Sequence, residues 1–97
     1  MYNEKFMDIA LNEAKLALEE NEVPVGAVIV KDNVVIAKAH NTREKTKNAL
    51  HHAEVIAIDN ACNELSGWRL WQCEMYVTME PCPMCAGALG WSQISRV

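Results

Sequence analysis

The sequence predicts an α/β fold in a single domain. Three observations favour it: an amphipathic helical pattern near the amino terminus, two β-branched runs separated by a turn, and a second helical pattern that leads into a third strand. The chain has 97 residues, so there is room for one domain only, since a typical domain has roughly 150 residues. Hydrophobic residues make up 51% and charged residues 23%, a balance that is typical of globular proteins and argues against disorder.

The first predicted element is a helix between Asn3 and Glu20. Its apolar residues recur at steps of three and four with charged residues between them: Met7, Ala10, Leu11, Ala14, Ala17 and Leu18. This pattern predicts one buried helix face. The helix ends before Pro24, because proline cannot continue it.

Two β-branched runs then predict a hairpin. The first run spans residues 25–30 and is apolar throughout, so we expect both faces of this strand to be covered. The second run spans residues 34–39. Between them, Lys31-Asp32-Asn33 favours a turn.

The second half of the chain predicts a loop, two helices and two strands. Residues 40–49 are polar and indicate a surface loop of mildly positive charge. Residues 52–65 predict a helix that is apolar around much of its circumference and therefore buried. A third strand is expected at 75–78, a short helix at 82–91 and the start of another strand at 94–97.

Charge and composition exclude several classes of protein. The formal net charge of -4 tells against a general nucleic-acid binder, because phosphate contacts need clustered positive charge. We find no secretory signal at the amino terminus, and no apolar run approaches the roughly 18 residues of a membrane span. The four cysteines are therefore expected in the reducing cytosol, where a close pair favours metal ligation or catalysis over a disulfide.

The close pair is Cys82 and Cys85. Their spacing at the start of a predicted helix places both thiols on one face of the first turn, within reach of one ion. The partial positive charge of a helix amino terminus favours the thiolate form. A C-x-x-C pair alone fits equally a redox pair, half of a structural zinc site or two buried thiols.

A second motif, His52-Ala53-Glu54, lies upstream and favours a catalytic zinc site. One histidine and two cysteines supply the three protein ligands of a tetrahedral catalytic zinc, whose fourth position holds water. Glu54 is a poor ligand beside two thiolates, but a carboxylate next to that water can carry its proton to the substrate. The pair H-x-E and P-C-x-x-C is the established signature of zinc-dependent nucleobase deaminases.

This interpretation makes a geometric demand on His52. Residues two apart inside a helix point in nearly opposite directions, so His52 and Glu54 converge only if His52 stands at the helix entrance with non-helical dihedral angles. His51 is a competing histidine, and only the spacing selects His52 over it. We interpret His40, in the polar loop, as a residue that binds no metal.

The remaining cysteines and the tryptophans have simpler interpretations. Cys62 is expected to be a small core residue and Cys73 a residue at the entry of a strand. For the three tryptophans, packing in the core or in a dimer interface is favoured over stacking on bases; they are Trp68, Trp71 and Trp91.

Three segments resemble the bacterial tRNA-specific adenosine deaminases of the cytidine deaminase-like superfamily. They are residues 22–28 (EVPVGAV), 52–54 (HAE) and 76–88 (YVTMEPCPMCAGA), and the resemblance covers nearly the whole chain. It implies a cytidine deaminase-like three-layer α/β/α sandwich. It also implies a cytoplasmic, homodimeric zinc hydrolase that converts adenosine to inosine at the wobble position of a tRNA anticodon, with the anticodon stem-loop as its partner.

The resemblance also assigns roles to particular residues. One catalytic zinc ion per chain would be held by His52, Cys82 and Cys85, and Glu54 would be the proton shuttle. The base pocket would be formed by Asn41, the backbone of Ala53 and a wall position, Val23.

Family members continue beyond the point that matches Val97. They have two more strands and at least one carboxyl-terminal helix that is often rich in lysine and arginine. We therefore expect residues 1–97 to form one zinc-dependent deaminase domain, truncated after the third strand and third helix, with the carboxyl-terminal strands and helix missing. The net charge of this portion then carries no argument against RNA.

Three alternatives remain. A deaminase of a free base or nucleotide, such as guanine, cytosine or deoxycytidylate, shares both zinc motifs. A catalytically incompetent zinc-binding fragment retains the ligands without turnover. A thiol redox protein built on Cys82 and Cys85 ranks last, because it gives the H-x-E motif no role.

Overall fold

The computed structural model describes residues 3–67, 69–78, 87–88 and 92. In chain order they form α1 (Glu4–Glu19), β1 (Gly26–Lys31), β2 (Val34–His40), α2 (Arg43–Thr46), α3 (Ala53–Leu65) and β3 (Cys73–Val77). This order confirms the α/β class. Of the helix predicted at 82–91, residues 87 and 88 are described and are helical, whereas the strand predicted at 94–97 lies outside the described residues.

The described strands form one antiparallel sheet in the order β2-β1-β3. β1 is the central strand, and its first five residues are buried. The predicted hairpin of β1 and β2 is confirmed, with an irregular register between Ile29 and Val30. The prediction that both faces of β1 are covered is also confirmed.

The two faces of β1 contribute to two separate hydrophobic clusters. Ala27 and Ile29 pack with residues of α3, whereas Val28 and Val30 pack with residues of α1 and with Tyr76 of β3. Successive side chains of a strand point to opposite faces, so α1 and α3 lie on opposite sides of the sheet. The result is the expected three-layer α/β/α arrangement.

The start of α1 is fixed to β3. Asn3 is the N-cap residue, and its side chain accepts a hydrogen bond from the Lys5 backbone N–H at 2.9 Å. The Asn3 backbone N–H donates to the Tyr76 hydroxyl at 2.9 Å, and the Tyr76 ring lies 5.5 Å from the Phe6 ring between centroids. The amino-terminal turn is thereby held on the sheet by polar and aromatic contacts together.

α1 approaches the sheet most closely at Gly26. A Cβ atom on this residue would overlap the carbonyl oxygen of Ala10 and would lie 2.7 Å from the backbone nitrogen of Ala14. Glycine is required here because the backbones of helix and strand leave no room for a side chain.

Two elements differ from prediction by more than one residue. Within the loop predicted at 40–49, Arg43–Thr46 forms α2, one helical turn. This segment has no apolar periodicity, and its first turn is held by a carboxylate from a distant part of the chain, Glu22. β3 begins at Cys73, two residues before the predicted 75–78, because Cys73 continues the ladder opposite Lys31 of β1.

The predicted burial of the cysteines and tryptophans outside the motifs is confirmed for some residues and not for others. Cys73 is fully buried and begins β3, as predicted, while Cys62 is half-buried against the α3 cluster; burial raises the pKa of both thiols. Trp71 is not part of the core, because its side chain is 58% exposed and the Arg69 guanidinium lies 5.4 Å from its ring centroid. Packing of Trp71 in a dimer interface stays a prediction. Trp68 and Trp91 lie outside the described residues. Among the described helices, none has the length and apolarity needed to span a membrane.

Candidate functional site

The H-x-E motif lies at the start of α3. His52 is the N-cap residue, with φ -79° and ψ 151°, and Ala53 is the first helical residue. The condition set by the sequence, that His52 stands at the helix entrance with extended dihedral angles, is therefore confirmed. The helical rule that separates residues two apart does not apply to His52 and Glu54.

Asn41 reaches this helix start from the end of β2. Its side-chain Oδ1 accepts a hydrogen bond from the Ala53 backbone N–H at 2.7 Å, and its own backbone N–H donates to the Val25 carbonyl at 3.3 Å. Asn41 is buried, with 6% of its surface exposed. The first N–H groups of a helix have no acceptor inside it, and Asn41 supplies an acceptor to the first N–H group of α3. Two residues predicted to bind the base are thus in direct contact.

Glu54, the second residue of α3, is a buried carboxylate with 4% of its surface exposed. Within the described parts of the chain we find no hydrogen bond to its side chain, and its oxygens are not fully enclosed. Burying a carboxylate without a hydrogen-bond donor is costly. Such a group is suited to receive a hydrogen-bond donor that arrives with a ligand.

The two adjacent histidines have different surroundings. The Thr46 hydroxyl donates its proton to the Thr42 carbonyl at 2.9 Å, so its oxygen accepts from Nδ1–H of His51 at 2.6 Å. His51 therefore belongs to the segment that contains α2. His52 instead accepts a hydrogen bond at Nε2 from the Arg43 guanidinium at 3.3 Å.

Only part of the predicted metal site can be located. His52 is described, whereas Cys82 and Cys85 lie outside the described residues. Across residues 3–67 and 69–78, no three His, Cys, Asp or Glu side chains are grouped closely enough to hold a metal ion. Nothing in that part of the chain offers a rival site to the predicted ligand set.

His40 is engaged by α1 at both ring nitrogens. Nδ1 lies 2.9 Å from Oε1 of Glu13, and Nε2 lies 3.0 Å from Oε1 of Glu20. Burial lowers the pKa of His40, but the hydrogen bonds and charges of the two carboxylates outweigh burial and raise the pKa above its ordinary value of 6.5. These contacts agree with the interpretation of His40 as a residue that binds no metal.

Val23, the predicted wall position, lies between α1 and β1 and is 52% exposed. The preceding residue, Glu22, is buried, and both its carboxylate oxygens accept backbone hydrogen bonds from α2. The sequence analysis gave Glu22 no separate role, and it also missed the partners of His40, Glu13 and Glu20. No local signal distinguishes these acids from the solvated acids of α1, because their partners lie on other elements.

Comparison with known proteins extends the sequence resemblance. Residues 1–97 match the family model of the cytidine and deoxycytidylate deaminase zinc-binding region. The chain is 50% identical over 95 residues to a tRNA-specific adenosine deaminase of Bacillus subtilis, covering 98% of this chain and 59% of that protein. It is 52% identical over 97 residues to a tRNA-specific adenosine deaminase of Aquifex aeolicus, covering 100% of this chain and 64% of that protein. The chain thus spans about three fifths of the length of these relatives.

Two solved structures share the fold. One comes from studies of A-to-I editing by tRNA:A34 deaminases at the wobble position of transfer RNA; its TM-score is 0.91 at 44% identity, over 93% of this chain and 69% of that chain. The other is a guanine deaminase from Bacillus subtilis, with a TM-score of 0.95 at 39% identity, over 100% of this chain and 62% of that chain. Sequence motifs, layer arrangement and family match therefore agree, and the chain belongs to the zinc-binding cytidine and deoxycytidylate deaminase family.

Proposed function

We propose that this protein is a zinc-dependent hydrolase that converts adenosine to inosine at the wobble position of a tRNA anticodon. The observation that carries the proposal is the start of α3. There Asn41 is hydrogen-bonded to Ala53, between the N-cap His52 and the buried Glu54, whose side chain has no hydrogen-bond partner among the described residues. Sequence identities of 50% and 52% to two proteins named tRNA-specific adenosine deaminase support the same substrate.

The residues fit a zinc ion. His52, Cys82 and Cys85 would hold one ion per chain, because an imidazole nitrogen and two thiolates form a donor set that zinc prefers and leave a fourth position open. The extended N-cap of His52 and the absence of a described hydrogen bond to Glu54 agree with this assignment. Bound zinc supplies Lewis acidity that activates water for hydrolysis near neutral pH.

Glu54 is the residue that we assign to proton transfer. Its carboxylate takes one proton from the attacking water and delivers it to the purine ring as the hydroxyl adds to C6. It then takes the remaining proton of that hydroxyl and delivers it to the amine, so that the C6–N bond breaks, a C6 carbonyl forms and ammonia leaves. Because its side chain has no hydrogen bond among the described residues, no donor among them occupies the carboxylate oxygens that accept the proton.

Asn41 and Val23 are assigned to binding of the base. Since Oδ1 of Asn41 is held by Ala53, the NH₂ group of the same amide is left to donate a hydrogen bond to the purine. Val23 adds exposed apolar surface on the side of the α1–β1 connection. A pocket of this kind takes a nucleoside whose base is no longer stacked on its neighbours. The unpaired loop of an anticodon stem-loop presents bases in this state.

The exposed basic residues of the segment containing α2 support an RNA substrate. They stand on a surface turn beside the candidate site and are Arg43, Lys45 and Lys47. Local positive charge of this kind attracts phosphates even when the net charge of a chain is negative.

We also propose a cytoplasmic homodimer made from a longer protein. The free thiols Cys62 and Cys73 suit a reducing compartment. A groove of about 700 Å³ between β2 and α3, with Leu50 and Val55 among its lining residues, offers apolar surface for a second copy.

The expectation that residues 1–97 form one domain with its carboxyl-terminal strands and helix missing stays a prediction. The chain covers 59% of one relative, which agrees with this expectation.

A second candidate function is deamination of free guanine. The TM-score of 0.95 with a guanine deaminase favours it, because the described fold is shared by that enzyme and by the tRNA:A34 deaminase structure.

One experiment tests both candidates. The zinc-loaded protein is incubated with a tRNA transcript and, separately, with free guanine and cytosine, and inosine is located by sequencing the RNA. We expect inosine at the wobble position and no turnover of the free bases. Turnover of guanine alone would favour the second candidate, and zinc binding without any turnover would support a non-catalytic fragment. Tightly held zinc in equimolar amount would rule out the thiol redox interpretation.

A further inference from the structure

Glu22 is a buried charged residue to which the proposed reaction gives no task. It is 5% exposed and lies between α1 and β1. Its carboxylate accepts two hydrogen bonds, at Oε1 from the Glu44 backbone N–H at 3.0 Å and at Oε2 from the Lys45 backbone N–H at 2.7 Å. Both amides lie in the first turn of α2, where backbone N–H groups have no partner inside the helix.

Among the described residues, these two bonds are the hydrogen bonds that join α2 to the connection between α1 and β1. Residues 43–50 are all exposed, so burial of apolar side chains does not fix their position. The other described contact between α2 and the end of α1 is the ion pair of Lys45 Nζ with Glu20 Oε2, at 4.0 Å. The Lys45 side chain is 65% exposed, and exposed pairs of this kind contribute little. Glu22 is therefore the main described link between these two parts of the chain.

Both sides of this link carry residues of the candidate site. Val23 directly follows Glu22 on one side. On the other side, α2 lies between Asn41 and His52, and its Arg43 contacts His52. A change in the Glu22 contacts would shift α2 against the α1–β1 connection and so alter the spacing between these two sides.

We propose that Glu22 is a positioning residue for substrate binding, which sets the spacing between Val23 and the segment from Asn41 to His52. This inference rests on the proposed function. Glu54 stands on α3, whose residues Ala57 and Ala61 pack on the sheet independently of Glu22. Glu22 therefore governs the affinity for the RNA nucleoside, while the chemical step is left largely unchanged.

The test is the substitution Glu22→Gln, which keeps the size of the side chain but replaces one acceptor oxygen with an NH₂ group. We expect the KM for an anticodon stem-loop to rise about tenfold, with kcat per bound zinc within about twofold of wild type. Glu19→Gln is the matched control, because it makes the same charge change at an exposed position of α1 and should leave KM unchanged.

A second variant removes the same contact from its other side. Glu44→Pro deletes the N–H that bonds to Oε1 of Glu22, at an exposed position in a first helical turn, where proline is tolerated. It should raise KM as well, and the double variant should raise KM by less than the product of the two single effects. Because KM does not depend on the amount of folded protein, a loss of yield does not imitate this result.

The inference is overturned if Glu22→Gln binds zinc normally and keeps the wild-type KM, or if only its melting temperature falls. If Glu22→Gln does not fold, a wild-type KM for Glu44→Pro overturns it instead. Direct binding of the stem-loop, measured by fluorescence anisotropy, separates this inference from the proposed function. Wild-type protein that binds the stem-loop without forming inosine contradicts the proposed function, and the Kd of Glu22→Gln then decides the inference. Wild-type protein that does not bind the stem-loop contradicts both.

Discussion

The side chain of Asn41 and the backbone of Ala53 are joined by a buried hydrogen bond of 2.7 Å. This bond connects the end of β2 with the start of α3, on which His52 and Glu54 stand. The oxygen of this amide thus serves the fold, and the proposed function assigns the NH₂ group of the same amide to the substrate. These two tasks can be separated by substitution.

Asn41→Ala removes both groups, whereas Asn41→Asp keeps an oxygen acceptor for the Ala53 N–H and removes the NH₂ donor. We expect Asn41→Ala to lower the free energy of unfolding by about 1 to 2 kcal/mol, because a helix start loses its partner. Asn41→Asp should fold nearly as stably as wild type, yet both variants should lose most of their affinity for the stem-loop. Denaturant unfolding and anisotropy measure the two effects. Equal stem-loop affinity in Asn41→Asp and wild type would remove Asn41 from the proposed base pocket.

Glu54→Gln keeps the size of the buried side chain but cannot accept a proton. We expect zinc content and melting temperature to stay near wild type while kcat for inosine formation falls by about 10² to 10⁴-fold. Metal analysis and single-turnover kinetics on the same sample check both statements. A variant that keeps wild-type kcat would show that another group carries the proton.

Gly26→Ala places a Cβ against the backbone of α1 at Ala10 and Ala14. Because neither backbone can move without disturbing the sheet, we expect a loss of about 1 to 3 kcal/mol in the free energy of unfolding. Gly67→Ala is the control: the nearest atom to an added Cβ there is the Leu65 carbonyl oxygen at 3.9 Å, so the change should stay within about 0.5 kcal/mol. Similar losses in the two variants would contradict the close approach at Gly26.

His40 should make stability depend on pH. Its folded-state pKa is raised by Glu13 and Glu20 against the opposing effect of burial. A group with a raised folded pKa contributes stability that is fully present below its unfolded pKa, about 6.5, and is lost as pH rises through the folded value. The difference in unfolding free energy between wild type and His40→Gln should therefore be larger at about pH 6 than at about pH 9.

Denaturant unfolding at the two pH values measures this difference. In a background of Glu13→Gln and Glu20→Gln the pH dependence of the His40→Gln effect should largely disappear, because the two carboxylates are its cause. An equal effect of His40→Gln at both pH values in the wild-type background would contradict the assignment.

The elements that the sequence predicted well are those with a local signal. The helical period of α1 and the β-branched run of β1 each depend on neighbouring residues, and their observed bounds differ from prediction by about one residue. α2 was missed because its stabilising partner, Glu22, lies 23 positions before Lys45, beyond any local pattern. Trp71 lies outside the core because hydrophobic character alone does not decide whether a residue near a strand start is covered within one chain.

The chemistry of the site was predictable without the structure, since the types and spacing of His52, Glu54, Cys82 and Cys85 are those expected of a zinc deaminase. How the described residues of the candidate site are held depends on the fold. The fold set the extended N-cap of His52, the contact between Asn41 and Ala53, and the hold of Glu22 on α2. A backbone N–H group without a partner at a helix start bonds to whichever acceptor side chain the fold brings near. The position of that side chain in the sequence is unconstrained, so no local pattern predicts it.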